Sequence, residues 1–319
     1  MQLINPNTSE RLTLRENHLI DETGKEFELV SGAYRFVEPE NYTSNFGFQW
    51  NKFGDLQVDT LSGSGITSER FFKATKWTPA QLKGKIVLEA GCGAGRFTSV
   101  ILNETEAELY SFDYSDSVSA NYRMNGPNDR LHLFQASIYE MPFAEDSFDY
   151  IFCFGVLQFT PDPISSLQSL IKVLKPGGQL VVDFFPKKGW WTKIHAKYIL
   201  RPYTSKLSNE RLLKAIENNI DWLMKTYRFF SRLGLNRAVN RFLPICDIDN
   251  TIPKGLAKEK LRQWVVLDTF NMLSPAFDNP LKMEEVIDTF RKGGLSEIEG
   301  EVVPYSGGQN HVSVVRGIK

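Results

Sequence analysis

Short apolar runs and helical spacings alternate through the middle of the chain. Ile86-Val87-Leu88 is apolar and partly β-branched, as suits a parallel strand covered on both faces, and Phe97, Val100 and Ile101 then begin a helical spacing. Leu109–Asp113 reads as the next strand, and Ser147–Leu157 holds another. A helix from Ile164 to Leu174, opened by Thr160-Pro161-Asp162-Pro163, is predicted to stop at Pro176-Gly177-Gly178 before a strand from Gln179 to Phe185. The same rhythm returns late, with a helix over Leu281–Phe290, a stop at Gly293-Gly294, and strands over Ile298–Val303 and His311–Arg316. Before the core, His18–Ile20, Glu26–Val30 and Tyr34–Val37 are strand-like runs with Thr23-Gly24 and Ser31-Gly32 as turns. Ser68 is expected to cap a short helix, and Thr78-Pro79 another. Between the fifth core strand and the late helix the spacing is helical: Leu207, Leu212, Leu213, Ile216 and Ile220, then Leu223, Tyr227, Phe230 and Leu233. The alternation predicts an α/β fold built on a doubly wound, mostly parallel sheet.

The chemistry centres on the turn after the first core strand, Glu89-Ala90-Gly91-Cys92-Gly93-Ala94-Gly95-Arg96. Its glycines allow positive φ and a close ligand approach, and the helix that follows points free N–H groups at that ligand. Three nucleotide-binding readings compete. The dinucleotide fingerprint needs a small residue where Arg96 stands, and a P-loop needs a closing Gly-Lys-Ser/Thr that is absent. Acidic-x-Gly-x-Gly-x-Gly, led by Glu89, remains. Asp113, 22 residues beyond Gly91, ends the second core strand and is placed to accept hydrogen bonds from ribose hydroxyls.

With this turn, Gln135–Phe143, Ser147–Leu157 and Leu174–Val182 following in order, the chain resembles class I S-adenosyl-L-methionine (SAM) methyltransferases, and in particular those of bacterial surface-polysaccharide gene clusters. The resemblance implies a seven-stranded Rossmann-like sheet and SAM as cofactor. It also implies a cofactor site of Glu89, Gly91, Cys92, Gly93, Gly95, Asp113, Tyr114, Ser137, Ile138, Phe154 and Gly155. Cys92 reads otherwise as a small packing residue. Tyr42, Phe46, Phe48 and Trp50, aromatic at even positions in Asn41–Phe53, resemble a segment that folds over the cofactor, where aromatic faces stabilise a sulfonium and exclude water. The competing reading of this stripe is core packing. Arg70 is a candidate partner for the cofactor carboxylate, against a solvated helix face. Where many relatives carry histidines, Gln158 and Phe159 stand here, so proton removal must come from elsewhere or be unnecessary; His195 and, second, His311 are the candidate bases.

The implied organisation is a small β unit at 1–40, like a zinc ribbon without cysteines and so without metal; an aromatic lid segment and leading helices at 41–82; a SAM-binding core at 83–186; a helical cap inserted at 187–280; and the last helix and hairpin at 281–319. The chain has 319 residues, 42% of them hydrophobic, enough for a sizeable core. Cys92, Cys153 and Cys246 are too far apart and odd in number for a disulfide framework or a cysteine-based zinc site. With no secretory signal pattern and no long apolar run, a cytoplasmic protein is expected, or one peripheral to the inner membrane face.

Charge alters the picture in one place. Lys187 to Arg262 holds 17 Lys/Arg and 6 Asp/Glu, net +11, in a chain whose total is −1. Such segregation favours an anionic partner, either a phosphate-bearing acceptor or a membrane surface, with nucleic acid ranked last; the alternative is docking on the chain's own acidic body. Trp190, Trp191, His195, Tyr198 and Tyr203 cluster near the start of this cap, where packing is the preferred role of the two tryptophans. The sequence therefore predicts transfer of a methyl group to a small or lipid-linked, sugar-containing anionic acceptor, with O-methylation favoured. The alternatives are a quinone or lipid metabolite as acceptor, or a SAM-binding regulatory protein without turnover.

Overall fold

The computed structural model describes residues 1–38, 41–57, 65–187, 189, 194–235, 239, 241–252, 255–306 and 310–319. They form two compact units, one of Met1–Pro186 with Phe277–Lys319 and one of Lys187–Ala276.

The first unit is built on a mixed sheet of β1 (Thr13–Arg15), β2 (His18–Ile20), β3 (Glu26–Val30), β4 (Ala33–Arg35), β5 (Ile86–Ala90), β6 (Glu108–Asp113), β7 (Leu131–Gln135), β8 (Phe148–Cys153), β9 (Leu174–Phe184), β10 (Ser296–Tyr305) and β11 (Asn310–Ile318). Their spatial order is β1-β2-β3-β4-β7-β6-β5-β8-β9-β11-β10. The run from β4 to β9 is parallel, and both ends are antiparallel. Eleven strands correct the expected seven. The N-terminal β unit is not separate: β4 adds in parallel to the edge of β7 and continues the sheet. Arg35 fixes that junction, with Nη1 donating to Asp116 (2.8 Å) and Gln135 (2.9 Å) and Nη2 to Ser119 (2.8 Å).

Side chains on β5 alternate between two cores, as the pleat requires. Leu88 and Ala90 enter the layer with Phe134, Phe143 and Phe148, while Val87 enters the layer with Phe71, Trp77, Phe97 and Phe152. The strand order reverses about β5, with β6 on one side and β8 on the other, and such a switch point opens a crevice at the carboxyl ends of the strands. Around the sheet lie α1 (Ser44–Phe53), α2 (Ile66–Thr75), α3 (Pro79–Leu82), α4 (Arg96–Glu104), α5 (Ser117–Asn125), α6 (Pro163–Val173) and, late in the chain, α11 (Met283–Lys292).

Several boundaries move. Gly65, not Ser68, caps α2; Ser68 lies inside the first turn and its hydroxyl donates to Glu104 at 2.8 Å. Thr78 caps α3 in a reciprocal capping box with Gln81. β9 starts at Leu174 and runs through Pro176-Gly177-Gly178.

The second unit is helical: α7 (Ala196–Thr204), α8 (Asn209–Arg232), α9 (Ile248–Thr251) and α10 (Lys258–Leu273). Ser208 caps α8, which buries Leu212, Leu213, Ile216, Ile220, Leu223, Met224 and Tyr227. Arg201 is buried, and its Nη2 donates to the Met272 carbonyl at 2.7 Å. Leu207, Phe230 and Leu233, expected on the apolar side by spacing, instead face outward. Trp190 and Trp191 lie outside the described residues.

Candidate active site: a glycine turn between two buried acids

The turn joining β5 to α4 is held by its own backbone. The Gly91 and Cys92 N–H groups donate to the Phe112 carbonyl at 2.8 and 3.0 Å, and the Gly93 N–H donates to Asp113 Oδ2 at 2.9 Å. Gly91, Gly93 and Gly95 all take positive φ. Two of them are also required by packing. A Cβ on Gly91 would lie 2.1 Å from Val156 Cγ2, and one on Gly95 would lie 2.2 Å from Asn121 Oδ1. Asn121 in turn donates to Thr98 Oγ1 at 2.8 Å. These glycines thus serve close side-chain packing from β8's exit and from α5, a need invisible in the turn itself.

Two carboxylates flank the turn. Glu89 falls on the Val87 face of β5, fully buried, where the Thr98 and Ser111 hydroxyls both donate to its Oε2. Its Oε1 is buried and has no hydrogen-bond partner among the described residues. Desolvation pushes the Glu89 carboxyl up to about 7, against the pull of the two hydroxyls. Asp113 ends β6; besides the Gly93 amide it accepts from the Ser115 N–H (2.8 Å) and hydroxyl (2.7 Å), and burial raises its pKa as well. Cys92 packs with Ala33, Val118 and Leu133, and burial pushes its thiol up, which agrees with a packing role.

The aromatic segment is helix α1, and Asn45, Gly47 and Gln49 are its buried positions. Tyr42, just before it, sits 5.0 Å from the Tyr114 ring and 5.2 Å from Phe277; Phe46 meets Phe159 at 5.1 Å; and a Cβ on Gly93 would lie 3.2 Å from the Trp50 indole nitrogen. Gly47 permits the approach to α5, since a Cβ there would lie 3.2 Å from the Asp116 backbone nitrogen. α1 therefore covers the turn and the ends of β6 and β8. On its buried face Gln49 is 0% exposed and neither amide atom has a partner among the described residues; the same holds for Gln158, in the short 3₁₀ turn after β8.

Other expected residues are placed differently. The Phe154 ring is built into the aromatic core with Phe71 and Phe97. Gly155 follows with positive φ and open space over its α-carbon, its N–H donating to Asp183 Oδ1. Arg70 does not lie on a solvated helix face. It forms a buried ion pair with Asp183 and lies over the rings of Phe97, Phe154 and Tyr305. Ser137 Oγ accepts from the Tyr139 N–H (3.2 Å), and Ile138 is buried beside it. His195 caps α7, its Nδ1 accepting from the Lys197 N–H at 3.3 Å, and His311 is exposed on β11 opposite Pro304. Sequence reading missed Thr98, Ser111 and Asn121, small polar residues whose role shows only when three elements meet.

Residues 88–182 match the family model of the methyltransferase domain. This stretch, from β5 into β9, thus carries a methyltransferase domain. Among curated relatives, the tRNA U34 carboxymethyltransferase of Sulfurovum sp. is 35% identical over 33% of this chain and 35% of its own length. The protein of that name from Campylobacter curvus is 32% identical over 41% of this chain and 43% of its own. The chain thus spans less than half the length of these relatives. Magnesium protoporphyrin IX methyltransferase from Synechocystis, solved with bound S-adenosylhomocysteine, superposes with a TM-score of 0.48 at 14% identity, covering 87% of this chain and 96% of that one.

Proposed function

We propose that the whole chain transfers a methyl group from SAM to a small or lipid-linked anionic acceptor, with a sugar hydroxyl as the favoured nucleophile. The observation that carries the cofactor half is the pair of buried acids across the glycine turn. Glu89 keeps an oxygen without a partner among the described residues there, and Asp113 stands at the end of β6, accepting from the Gly93 N–H. In this reading Asp113 holds the ribose hydroxyls, the Gly91–Gly95 backbone admits the amino-acid part, and Glu89 faces its positive end. When bound, SAM supplies an activated methyl on a sulfonium. The chain aligns and shields: Tyr42, Phe46 and Trp50 of the α1 segment exclude water, and the Gln49 and Gln158 amides, neutral and able both to donate and to accept, orient the acceptor hydroxyl. His195 and His311 stay as proposed bases only if a proton must leave before transfer.

The acceptor half rests on the net +11 of Lys187–Arg262. The tRNA-modifying relatives favour a second reading, in which the anionic acceptor is RNA and the transferred group carries a carboxylate. Calorimetric titration with SAM, S-adenosylhomocysteine and NAD tests the cofactor, and isotope transfer from labelled SAM to lipid-linked sugars or to unmodified tRNA tests the acceptor. Binding of the SAM pair but not NAD, weakened at least tenfold by Asp113→Ala, is expected. Tight NAD binding, or label entering tRNA but no sugar, would overturn the first reading in its cofactor or its acceptor half respectively.

A further inference from the structure

Helix α8 carries an outward face that its own unit leaves uncovered. Trp222, Phe229 and Leu233 recur seven and four residues apart, which places them on one stripe, and they are 61%, 60% and 59% exposed. Beside them on the solvent side stand Lys225, Arg228 and Arg232, all exposed. Of the acids near this helix, Asp221 is paired with Arg262 at 3.2 Å, Asp249 accepts from the Ser231 hydroxyl at 2.7 Å and Asp247 from the Tyr227 hydroxyl at 3.1 Å, and no ion pair to Lys225, Arg228 or Arg232 is found among the described residues. The inward face of the same helix is complete, from Leu212 through Tyr227. Unit 2 therefore needs neither the aromatic stripe nor the basic row for its own packing, and large exposed aromatics are uncommon where no partner uses them. Phe242 (66% exposed) and Leu235, just beyond α8, extend the apolar character.

We infer that this face docks the protein on an anionic lipid bilayer, with α8 lying in the plane of the interface. The chemistry of the two rows decides for that occupant. Tryptophan and phenylalanine prefer the boundary between headgroups and acyl chains, and a flanking basic row meets anionic headgroups there. A protein partner would match a shaped apolar patch, whereas here aromatic and basic residues run side by side along one helix, within a segment of net +11. No helix among the described residues is long and apolar enough to cross a membrane, so contact would be peripheral. The inference is independent of which acceptor is methylated.

The test is co-sedimentation of the full chain with vesicles of phosphatidylcholine alone and of phosphatidylcholine with phosphatidylglycerol in equal parts, at low and high salt. Binding to the anionic vesicles only, weakened by salt, is expected. Lys225→Gln with Arg228→Gln and Arg232→Gln should lower partitioning roughly a hundredfold. Trp222→Ser with Phe229→Ser should abolish it while leaving the circular dichroism spectrum and melting temperature unchanged, since both side chains are exposed. A blue shift in tryptophan emission on binding, lost in Trp222→Phe, would locate the contact. The inference is overturned if folded wild-type protein fails to bind either vesicle, if it binds both equally, or if the stripe variants bind as well as wild type. It is equally overturned if sedimentation velocity shows a dimer that the stripe substitutions dissociate while vesicles bind none of the protein.

Discussion

Glu89→Gln separates the electrostatic state of the site from its shape. The wild-type carboxyl is fully buried and titrates near 7, against an ordinary value of 4.5, because desolvation outweighs the Thr98 and Ser111 hydroxyls. Below pH 4.5 the group is protonated whether the chain is folded or not, and it costs nothing. As pH rises from 4.5 to 7 the unfolded chain gives up the proton while the folded chain keeps it, so stability falls. Above 7 the penalty is complete at roughly 3 kcal/mol, since each pH unit of that gap is worth about 1.4 kcal/mol. Glutamine keeps a carbonyl oxygen that can accept from both hydroxyls but has no proton to lose. Urea unfolding should therefore find Glu89→Gln close to wild type at pH 4.5 and more stable by about 3 kcal/mol at pH 8. The same carboxylate should be drawn into its ionised form by a cationic cofactor. SAM binding near pH 6.5 should then release a proton, visible as a binding enthalpy that changes with buffer ionisation heat, and Glu89→Gln should abolish the release and weaken affinity above pH 7. Parallel stability profiles for the two proteins from pH 4.5 to 8 would refute the reasoning, because they would mean that burial does not hold this acid protonated.

Gly91→Ala places a methyl 2.1 Å from Val156 Cγ2 at a φ of +79°, and we expect a loss of at least about 2 kcal/mol in urea unfolding. Val156→Ala in the same chain should restore part of it; if it restores none, the steric account fails. Arg70→Met strands the buried Asp183 carboxylate and should cost about 3–5 kcal/mol, with Asp183→Asn recovering most of that; a cost under 1 kcal/mol would mean the pair is solvated. Gln49→Met and Gln158→Met each remove a buried amide without a partner among the described residues, so each should stabilise the cofactor-free protein by about 1–3 kcal/mol while lowering methyl transfer. Lower stability in both variants would show that the amides are satisfied in solution.

The parts of this fold legible in the sequence are those whose cause lies within one element. The Ile86–Leu88 run gives β5, because a buried parallel strand must be apolar on both faces, and Thr78-Pro79 gives a helix start because a hydroxyl and a fixed φ act locally. What could not be read depends on partners distant in sequence. Tyr42, Phe46, Phe48 and Trp50 fall at even positions and Gly47 in their midst disfavours a helix; yet α1 forms, with Tyr42 meeting Tyr114, Phe46 meeting Phe159 and Trp50 lying against Gly93, and that packing outweighs the cost of a helical glycine. Arg70 reads as a surface cation until Asp183, 113 residues later, arrives beneath it. Gly91 and Gly95 read as ligand-approach positions, and the side chains that forbid a Cβ there, Val156 and Asn121, lie on other elements. α8 errs in the opposite direction. Its apolar residues recur at helical spacing from Leu207 to Leu233, but a helix can bury only one stripe, and with Leu212 to Tyr227 filling it Leu233 faces out with Trp222 and Phe229. Periodicity thus identifies that a helix has a buried face, whereas the residues left over, here aromatic and basic together, are what distinguish this unit from a simple structural cap.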